Sequence, residues 1–284
     1  MEIVRRVHSM KEIVTKAKAR GLKIGLVPTM GFLHQGHLSL IRGIDDHCDI
    51  VVVSIFVNPT QFGPDEDYNR YPRDLTHDTE MCIAAGVDYV FTPEVNDIYP
   101  PGPRTSVEVA ELSDRFEGES RPGHFRGVAT VVLKLLNAVQ PNIVAFGQKD
   151  AQQAVVVQRV MRDLLLDVEI LVLPTARDDD GVALSSRNKY LTAEQREAAK
   201  AIPRALEAAR EAVASGEQKH EAILEAARAV LEAEPLLRVD YLELVDRRSL
   251  VPVSVLDNEA LLLLAVFCGE TRLLDNELLA TGGS

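Results

Sequence analysis

Short apolar runs alternate with amphipathic stretches through the first part of the chain. The run from Ile24 to Val27 and the longer run from 49 to 57 are largely apolar at consecutive positions, as in strands that are covered on both faces of a parallel sheet. Similar runs predict strands at 87–91, 142–146 and 168–173, and stretches of helical periodicity lie between them. This alternation predicts an α/β fold with a doubly wound parallel sheet.

The pattern changes after Pro174. A polar loop over 177–189 is followed by the capping box Thr192-Ala-Glu-Gln195, which begins a stretch of helices rich in Ala, Glu and Arg. Strands are then predicted at 239–245 and 260–267. We therefore predict a second, smaller α+β domain, with the first domain over residues 1–175 and the second over residues 176–284.

From 92 to 127 the pattern breaks into proline, glycine and charged residues, and the apolar helical pattern resumes at Val128. So long a loop inside a compact domain is usually functional or mobile. Three of its residues, Arg121, His124 and Arg126, fit solvated side chains as well as they fit a binding role.

Composition and charge exclude several classes of protein. The chain has 284 residues, a formal net charge of −12 and a pI near 5.1, whereas nucleic-acid-binding proteins usually carry a basic face. Its sequence contains no apolar run of transmembrane length and no signal-peptide pattern, and its cysteines are too scattered for a disulfide framework. We expect a cytoplasmic protein without a nucleic-acid or membrane partner.

The stretch from Ile24 to Ile41 combines a strand, a turn and the start of a helix around two histidines. His34 and His37 fall near the N-terminus of that helix, where unpaired backbone N–H groups and the helix dipole favour a phosphate. Gly36 has no side chain, so a flat base could approach the backbone closely. Two other interpretations stay open. The histidines could be solvated or structural, or they could be half of a zinc site, although the cysteines at 48, 82 and 268 form no Cys-x-x-Cys pair.

Two polar residues follow later strands, at the end of the sheet where α/β proteins bind ligands. Gln61 lies in the segment that leaves the 49–57 strand, and Lys149 lies between the 142–146 strand and the next helix. Gln61 is either a turn residue or a ligand donor. Lys149 is either a phosphate contact or a surface charge.

Six motifs, in order along the chain, are shared with one known family. They are Pro28-Thr-Met-Gly-Phe-Leu-His-Gln-Gly-His37, Phe56-Val-Asn-Pro-Thr-Gln-Phe62, Tyr71-Pro-Arg73, Arg121-Pro-Gly-His-Phe125, Phe146-Gly-Gln-Lys-Asp-Ala-Gln-Gln153 and Asp180-Gly-Val-Ala-Leu-Ser-Ser-Arg-Asn188. Over essentially its whole length, the chain resembles the pantothenate synthetases, which are AMP-forming ligases of pantoate and β-alanine. That resemblance implies a Rossmann-like first domain with a His-x-Gly-His box, and a mobile serine-containing loop as a second signature.

The resemblance also implies roles for individual residues. His34, His37 and Lys149 would be catalytic, because they would stabilise charge on the phosphates during transfer, with His37 as the proton donor. Gln61 and Gln153 would bind pantoate, and Gln61 would also lie near β-alanine. The ATP site would comprise Met30, Gly31, His34, Gly36, His37, Gly147, Lys149, Asp150 at the ribose, Ala176 at the adenine, and Leu184, Ser185, Ser186 and Arg187 in the second signature loop.

The implied reaction forms pantoyl adenylate from pantoate and ATP, after which β-alanine displaces AMP. The resemblance also implies a homodimer. His77 stands where other members have an acidic residue beside Asp78, so we expect no metal held by the protein and assign Mg²⁺ to the phosphates of ATP. Two rival classes stay open. A tRNA-charging enzyme would need a basic surface, and a non-catalytic nucleotide-binding module would not need both signature loops.

Overall fold

The computed structural model describes residues 1–64, 66 and 68–282. The chain forms two compact units, of which the first comprises residues 1–148 and 152–174 and the second comprises residues 149–151 and the chain from 175 onward. The predicted division into domains over 1–175 and 176–284 stays a prediction. No helix in the described residues is long and apolar enough to cross a membrane.

Parallel strands form the centre of the first unit. They are β1 (Glu2–Val4), β2 (Ile24–Thr29), β3 (Ile50–Ile55), β4 (Tyr89–Phe91), β5 (Ile143–Gly147) and β6 (Glu169–Leu173). Within the described residues they make one sheet in the order β1-β4-β3-β2-β5-β6, and every neighbouring pair is parallel. Both β2 and β3 are buried at nearly every position, which explains their continuous apolar sequences.

Helices connect these strands, as the hydrophobic periodicity predicts. They are α1 (Val7–Ala19), α2 (Gln35–Asp45), α3 (Leu75–Ala84), α4 (Val95–Ile98), α5 (Glu117–Ser120), α6 (His124–Val139) and α7 (Ala151–Asp163). Ile41 and Ile44 of α2 belong to the same buried cluster as Val27 and Val53 of the sheet. The predicted doubly wound parallel sheet is therefore confirmed.

The strand order reverses at β2. From β2 the chain proceeds to β3 and β4 on one side, and it then returns to β5 on the other side of β2. In open α/β sheets, ligands bind beyond the carboxyl ends of the strands that flank such a reversal. The turn that follows Thr29 and the segment that follows Gly147 therefore leave the sheet at the expected position for a ligand.

The long segment from 92 to 127 is more ordered than its composition predicts. It contains α4 and α5, and α6 begins at His124 rather than at the predicted Val128. Gly123 precedes this helix with a φ of +82°, a left-handed conformation that glycine adopts without steric cost. The polar start of α6 has no apolar periodicity, which is why the sequence pattern misses it.

Helices and an antiparallel sheet form the second unit. They are α8 (Ala193–Ala199), α9 (Ala201–Ala214), α10 (His220–Glu232), β7 (Leu237–Val245), β8 (Glu259–Cys268) and β9 (Thr271–Ala280). Among the described residues the strands pair in the order β7-β8-β9. Leu206, Leu231, Leu244 and Leu262 belong to the core between helices and sheet. The predicted smaller α+β part is confirmed.

In this unit one local prediction is confirmed, and one strand was not predicted. The capping box is confirmed, because the Thr192 hydroxyl accepts a hydrogen bond from the Gln195 N–H at 3.2 Å and the Gln195 side chain accepts one from the Thr192 N–H at 3.0 Å. Strand β9 is absent from the sequence prediction. Its alternation of apolar residues is interrupted by Asp275 and Asn276, which are polar and yet buried.

Candidate active site

The turn after β2 has an unusual backbone conformation. Gly31 and Phe32 both have positive φ angles, of +84° and +52°. The Thr29 hydroxyl donates a hydrogen bond to the Ser54 carbonyl at 2.8 Å and accepts one from the Gly31 N–H at 3.1 Å. A Cβ atom at Gly31 would lie 2.9 Å from an oxygen of Asp78, so the turn requires glycine there for space as well as for conformation.

The first turn of α3 holds this segment through a buried carboxylate. Asp78 is 1% exposed, and its two oxygens accept hydrogen bonds from the N–H groups of Phe32 at 2.9 Å and Leu33 at 2.7 Å. The His77 Nε2 atom lies 3.2 Å from the Leu33 carbonyl oxygen. Burial raises the pKa of Asp78 above its ordinary value, although the two N–H donors oppose that shift. Asp78 therefore fixes the backbone immediately before the histidine pair.

His34 and His37 make reciprocal contacts at the N-terminus of α2. The His34 Nδ1 atom accepts a hydrogen bond from the Gly36 N–H at 3.1 Å, and the His37 Nδ1 atom accepts one from the His34 N–H at 3.2 Å. The ring centroids are 4.2 Å apart. A nitrogen that accepts a hydrogen bond carries no proton, so each neutral ring has its N–H at Nε2. The pair can thus offer two donors beside the N–H groups of a helix start, which suits a phosphate.

The structure brings together Gln61 and Met30, two residues for which the resemblance implies contacts with different substrates. Gln61 is buried at the end of a 3₁₀ helix, Pro59–Gln61, and its Nε2 atom donates to the Met30 Sδ atom at 3.0 Å. The Gln61 Oε1 atom accepts a hydrogen bond from Asn58 Nδ2 at 3.1 Å. The side-chain amide of Gln61 is therefore held in one orientation.

Asn58 connects this segment to α6. The Asn58 Nδ2 atom donates to the Gly127 carbonyl at 3.1 Å, and its Oδ1 atom accepts from the Tyr99 hydroxyl at 2.9 Å. A Cβ atom at Gly127 would lie only 2.4 Å from the Thr60 carbonyl oxygen, so α6 approaches the 3₁₀ helix as closely as glycine permits. Neither Asn58 nor Tyr99 is among the site residues predicted from the sequence, although a polar residue at the end of the apolar run 49–57 was a signal for Asn58.

His124 and Arg121 also contact Gln61, so the open interpretation of these residues as solvated is wrong for this pair. The Gln61 carbonyl oxygen can only accept, so the His124 Nδ1 atom donates to it at 2.8 Å. Arg121 donates to His124 Nε2 at 3.2 Å and pairs with both oxygens of Glu66, at 2.9 and 2.6 Å. Burial, followed by the positive charge of Arg121, lowers the pKa of His124 to about 4. His124 is therefore a neutral donor at physiological pH.

A cavity of about 310 Å³ lies at the carboxyl ends of β3 and β4. Its lining includes Met30 and Gly31 from the histidine-bearing turn, together with Phe56, Asp78 and Thr92. This volume is sufficient for a small molecule. Of the residues predicted from the sequence to contact ligands, Met30 and Gly31 border it.

The predicted ATP residues of the second unit lie in two short structures. Lys149 and Asp150 belong to a 3₁₀ helix, Gln148–Asp150, and the Lys149 Nζ atom lies 3.4 Å from an Asp150 oxygen. Ala176 and Leu184 lie at the base of a tight hairpin, in which the Leu184 N–H donates to the Ala176 carbonyl at 2.9 Å. The same hairpin pairs Arg177 with Ala183 as an antiparallel bridge.

Ser185 begins the segment that follows the hairpin. Its hydroxyl accepts a hydrogen bond from the Arg187 N–H at 3.2 Å, which caps a 3₁₀ helix, Ser186–Tyr190. The serine and arginine residues of the predicted signature loop thus share one turn. Gln153 lies in the first turn of α7 and is partly buried.

A sequence model described as pantoate-beta-alanine ligase matches residues 2–278 of the chain. The chain therefore belongs to the pantoate-β-alanine ligase family. This confirms the family that the six motifs indicate, and with it the prediction of an enzyme and a ligase.

Individual relatives are similar over nearly the full length. The pantothenate synthetase of Moorella thermoacetica is 50% identical over 279 residues, which cover 98% of this chain and 99% of that protein. The crystal structure of pantothenate synthetase from Thermus thermophilus is 45% identical, with a TM-score of 0.92 and coverage of 98% of this chain and 99% of that one. The ligase from Francisella tularensis, complexed with β-γ ATP and β-alanine, is 36% identical, with a TM-score of 0.80 and coverage of 98% and 97%.

Proposed function

We propose that this ligase condenses pantoate with β-alanine in an ATP-dependent reaction that proceeds through pantoyl adenylate and releases AMP and pyrophosphate. The observation that carries the proposal is the pair of histidines that cap α2, directly after the strand at which the sheet order reverses. Membership of the family supports it. So does the relative from Francisella tularensis, whose structure contains β-γ ATP and β-alanine.

In the first half-reaction, a carboxylate oxygen of pantoate attacks the α-phosphorus of ATP, and pyrophosphate leaves. Such a transfer depends on positioning and on stabilisation of charge, and it needs no nucleophile from the protein. The Nε2–H groups of His34 and His37 provide that stabilisation beside the N–H groups of α2, with His37 as the proton donor. Lys149 adds a positive charge at the phosphates.

The remaining ATP contacts follow from the family. Met30, Gly31, Gly36 and Gly147 present backbone to the nucleotide, and Asp150 binds the ribose. Adenine contacts the backbone of Ala176, and the triphosphate contacts Leu184, Ser185, Ser186 and Arg187. The hydrogen bond between Ala176 and Leu184 supports this assignment, because it joins the adenine contact to the start of the signature loop.

Pantoate is bound by the side chains of Gln61 and Gln153. The fixed amide of Gln61 supports this role, since a preorganised donor loses little entropy on binding. In the second half-reaction, the amine of β-alanine attacks the acyl carbon of the adenylate near Gln61. The bond from that carbon to the AMP oxygen breaks, and the nitrogen loses a proton.

Mg²⁺ is carried mainly by the phosphates of ATP. Both oxygens of Asp78, the carboxylate that binds the turn before the histidines, already accept backbone hydrogen bonds, so this group is a poor metal ligand. Within the part of the chain that the structure describes, no group of three or more His, Cys, Asp or Glu residues could hold a metal ion. A homodimer and a cytoplasmic location, with no nucleic-acid or membrane partner, stay predictions from the family and the composition.

Isotope exchange tests the adenylate directly. The enzyme, Mg²⁺, ATP and labelled pyrophosphate are incubated with pantoate and without β-alanine, and the label in ATP is measured. Pantoate labelled with ¹⁸O in its carboxylate is used in the complete reaction. We expect pantoate-dependent exchange, and one labelled oxygen in AMP, because the oxygen that attacks phosphorus leaves with AMP.

Other outcomes would reject the proposal. Exchange that requires β-alanine would exclude a free adenylate. Formation of ADP with label in inorganic phosphate would indicate an acyl phosphate instead. A nucleotide-binding module would give neither exchange nor AMP, and a tRNA-charging enzyme would exchange with an amino acid and ignore pantoate.

A further inference from the structure

Strand β9 carries two adjacent polar residues that are almost completely buried. Asp275 is 2% exposed and Asn276 is 3% exposed. Neighbouring side chains of a strand point to opposite faces, so a single neighbour cannot satisfy both. A buried polar group destabilises the fold unless it is hydrogen-bonded. The hydrogen-bond partners of Asp275 and Asn276 therefore indicate what these two residues contribute.

Asp275 holds the hairpin that precedes the signature loop. The Arg177 guanidinium donates to both oxygens of Asp275, at 2.6 and 3.0 Å, and its Nη1 atom also donates to the Gly181 carbonyl at 3.1 Å. Arg177 lies on the first arm of the hairpin and Gly181 lies at its tip. A bidentate pair of this kind restricts orientation as well as distance. Asp275 thereby fixes the hairpin whose base leads directly into Leu184 and Ser185.

Asn276 holds the other group of predicted ATP residues. Its Nδ2 atom donates to the Lys149 carbonyl oxygen at 2.9 Å. That contact joins residues 127 positions apart in the chain, and it anchors the backbone from which the Lys149 side chain extends. Two consecutive residues of one strand therefore anchor both groups of ATP residues assigned to the second unit.

We propose that Asp275 and Asn276 are positioning residues for ATP, which act through the backbone of Lys149 and through Arg177. The inference rests on the proposed function, because it takes Lys149 and the Ser185–Arg187 segment as ATP contacts. Neither residue needs to touch the nucleotide. Their loss displaces groups that do, and a displacement of about 1 Å at a positioning group can lower a rate by roughly 10²-fold.

The test compares Asn276→Ala and Asp275→Asn with Asp240→Asn. The last is a matched control, because Asp240 pairs with Arg272 on the same sheet, at 2.7 and 2.9 Å, and anchors neither Lys149 nor the hairpin. The KM values for ATP, pantoate and β-alanine, kcat and the urea unfolding midpoint are measured for each folded variant. We expect the KM for ATP to rise about tenfold in Asn276→Ala and Asp275→Asn, with the KM for β-alanine unchanged and with no effect in Asp240→Asn.

A purely structural role predicts a different pattern. It would lower the unfolding midpoint while the KM for ATP of the folded enzyme stays within twofold of the wild-type value, and that result would overturn the proposal. If either variant does not fold, Asn276→Ser and Arg177→Lys test the same two contacts, because they remove the amide donor and the bidentate geometry with smaller changes. Unchanged ATP affinity in these variants would also overturn it.

The wild-type enzyme and Lys149→Ala separate this inference from the proposed function. Absence of pantoate-dependent exchange in the wild type would reject the proposed function itself. Normal exchange in the wild type, loss of ATP use in Lys149→Ala and normal ATP use in the Asn276 and Asp275 variants would reject only the positioning role.

Discussion

Asp78 and Leu33 are joined by a hydrogen bond of 2.7 Å between groups that lie 45 residues apart in the chain. The bond runs from a backbone N–H in the turn after β2 to a buried carboxylate in α3, and a second one, from Phe32, lies beside it. Leu33 directly precedes His34. The position of the histidine pair therefore depends on a side chain outside the His-x-Gly-His box.

Replacement of Asp78 by Asn should impair both catalysis and stability. The Asn side chain keeps one acceptor oxygen for one of the two backbone N–H groups, of Phe32 and Leu33, but its NH₂ group faces the other. One buried N–H donor therefore loses its partner. We expect a loss of about 1–3 kcal/mol in the free energy of unfolding, and a decrease of at least tenfold in kcat/KM for ATP. Urea unfolding and steady-state kinetics measure the two effects.

Thr192→Ala is the control for this variant. Thr192 caps α8 by accepting from the Gln195 N–H at 3.2 Å, so its loss should cost about 1 kcal/mol of stability without a comparable loss of activity. Equal effects of the two variants on kcat/KM would contradict the specific role of Asp78.

The histidine variants should separate capping from catalysis. Asn is a good N-cap residue, so His34→Asn should keep a side-chain acceptor at the start of α2 while it removes the Nε2–H donor. We expect this variant and His37→Ala to lose on the order of 10²-fold in kcat, as when one oxyanion donor is deleted. The melting temperature of His34→Asn should stay close to that of the wild type. Near-normal turnover in His37→Ala would exclude a catalytic role for His37. His8→Ala is the control, because the side chain of His8 is exposed, and its activity should equal that of the wild type.

His124 should make stability depend on pH. Its pKa is about 4 in the folded protein and 6.5 ordinarily, so between these values the unfolded chain binds more protons than the folded one. The free energy of unfolding should therefore rise as the pH increases from about 4 to 6.5, and it should fall as the pH is lowered through the same range. The contribution of His124 to this slope is at most about 1.4 kcal/mol per pH unit. Protonation would also give His124 Nε2 a hydrogen where Arg121 now donates.

Denaturant unfolding at a series of pH values measures this slope. His124→Gln keeps a hydrogen-bond donor and cannot titrate in this range, so its slope should be smaller than that of the wild type between pH 4 and 6.5. Identical slopes for the two proteins would mean that His124 is not held neutral by the fold.

Lys149 and Gln61 should affect different substrates. Lys149→Ala should raise the KM for ATP and slow the pantoate-dependent exchange. Gln61→Ala should mainly raise the KM for pantoate, because polar groups of the bound substrate lose their partner, and Gln153→Ala should resemble it. Initial rates with each substrate varied in turn provide the comparison. An increase confined to the KM for ATP in Gln153→Ala would contradict its assignment to pantoate.

The sequence alone is sufficient for the features that local interactions determine. The continuous apolar character of β2 and β3 predicts strands buried on both faces, and the Thr192 capping box predicts where α8 begins. The order of the six motifs indicates the family, which the comparison confirms. For the strands and the start of α8, the information lies within a few residues of the feature that it predicts, because periodicity and capping are short-range effects.

The tertiary structure decides the features that depend on distant partners. Asp78 shows no sign in the sequence of binding the turn at 32–33, and the neutral state of His124 depends on burial and on Arg121. Strand β9 escapes prediction for the same reason. Asp275 and Asn276 interrupt its apolar pattern, and their partners Arg177 and Lys149 lie 98 and 127 residues away. A polar residue can replace an apolar one in a core only where the fold brings it a hydrogen-bonding partner, and no local pattern in a single sequence records that meeting.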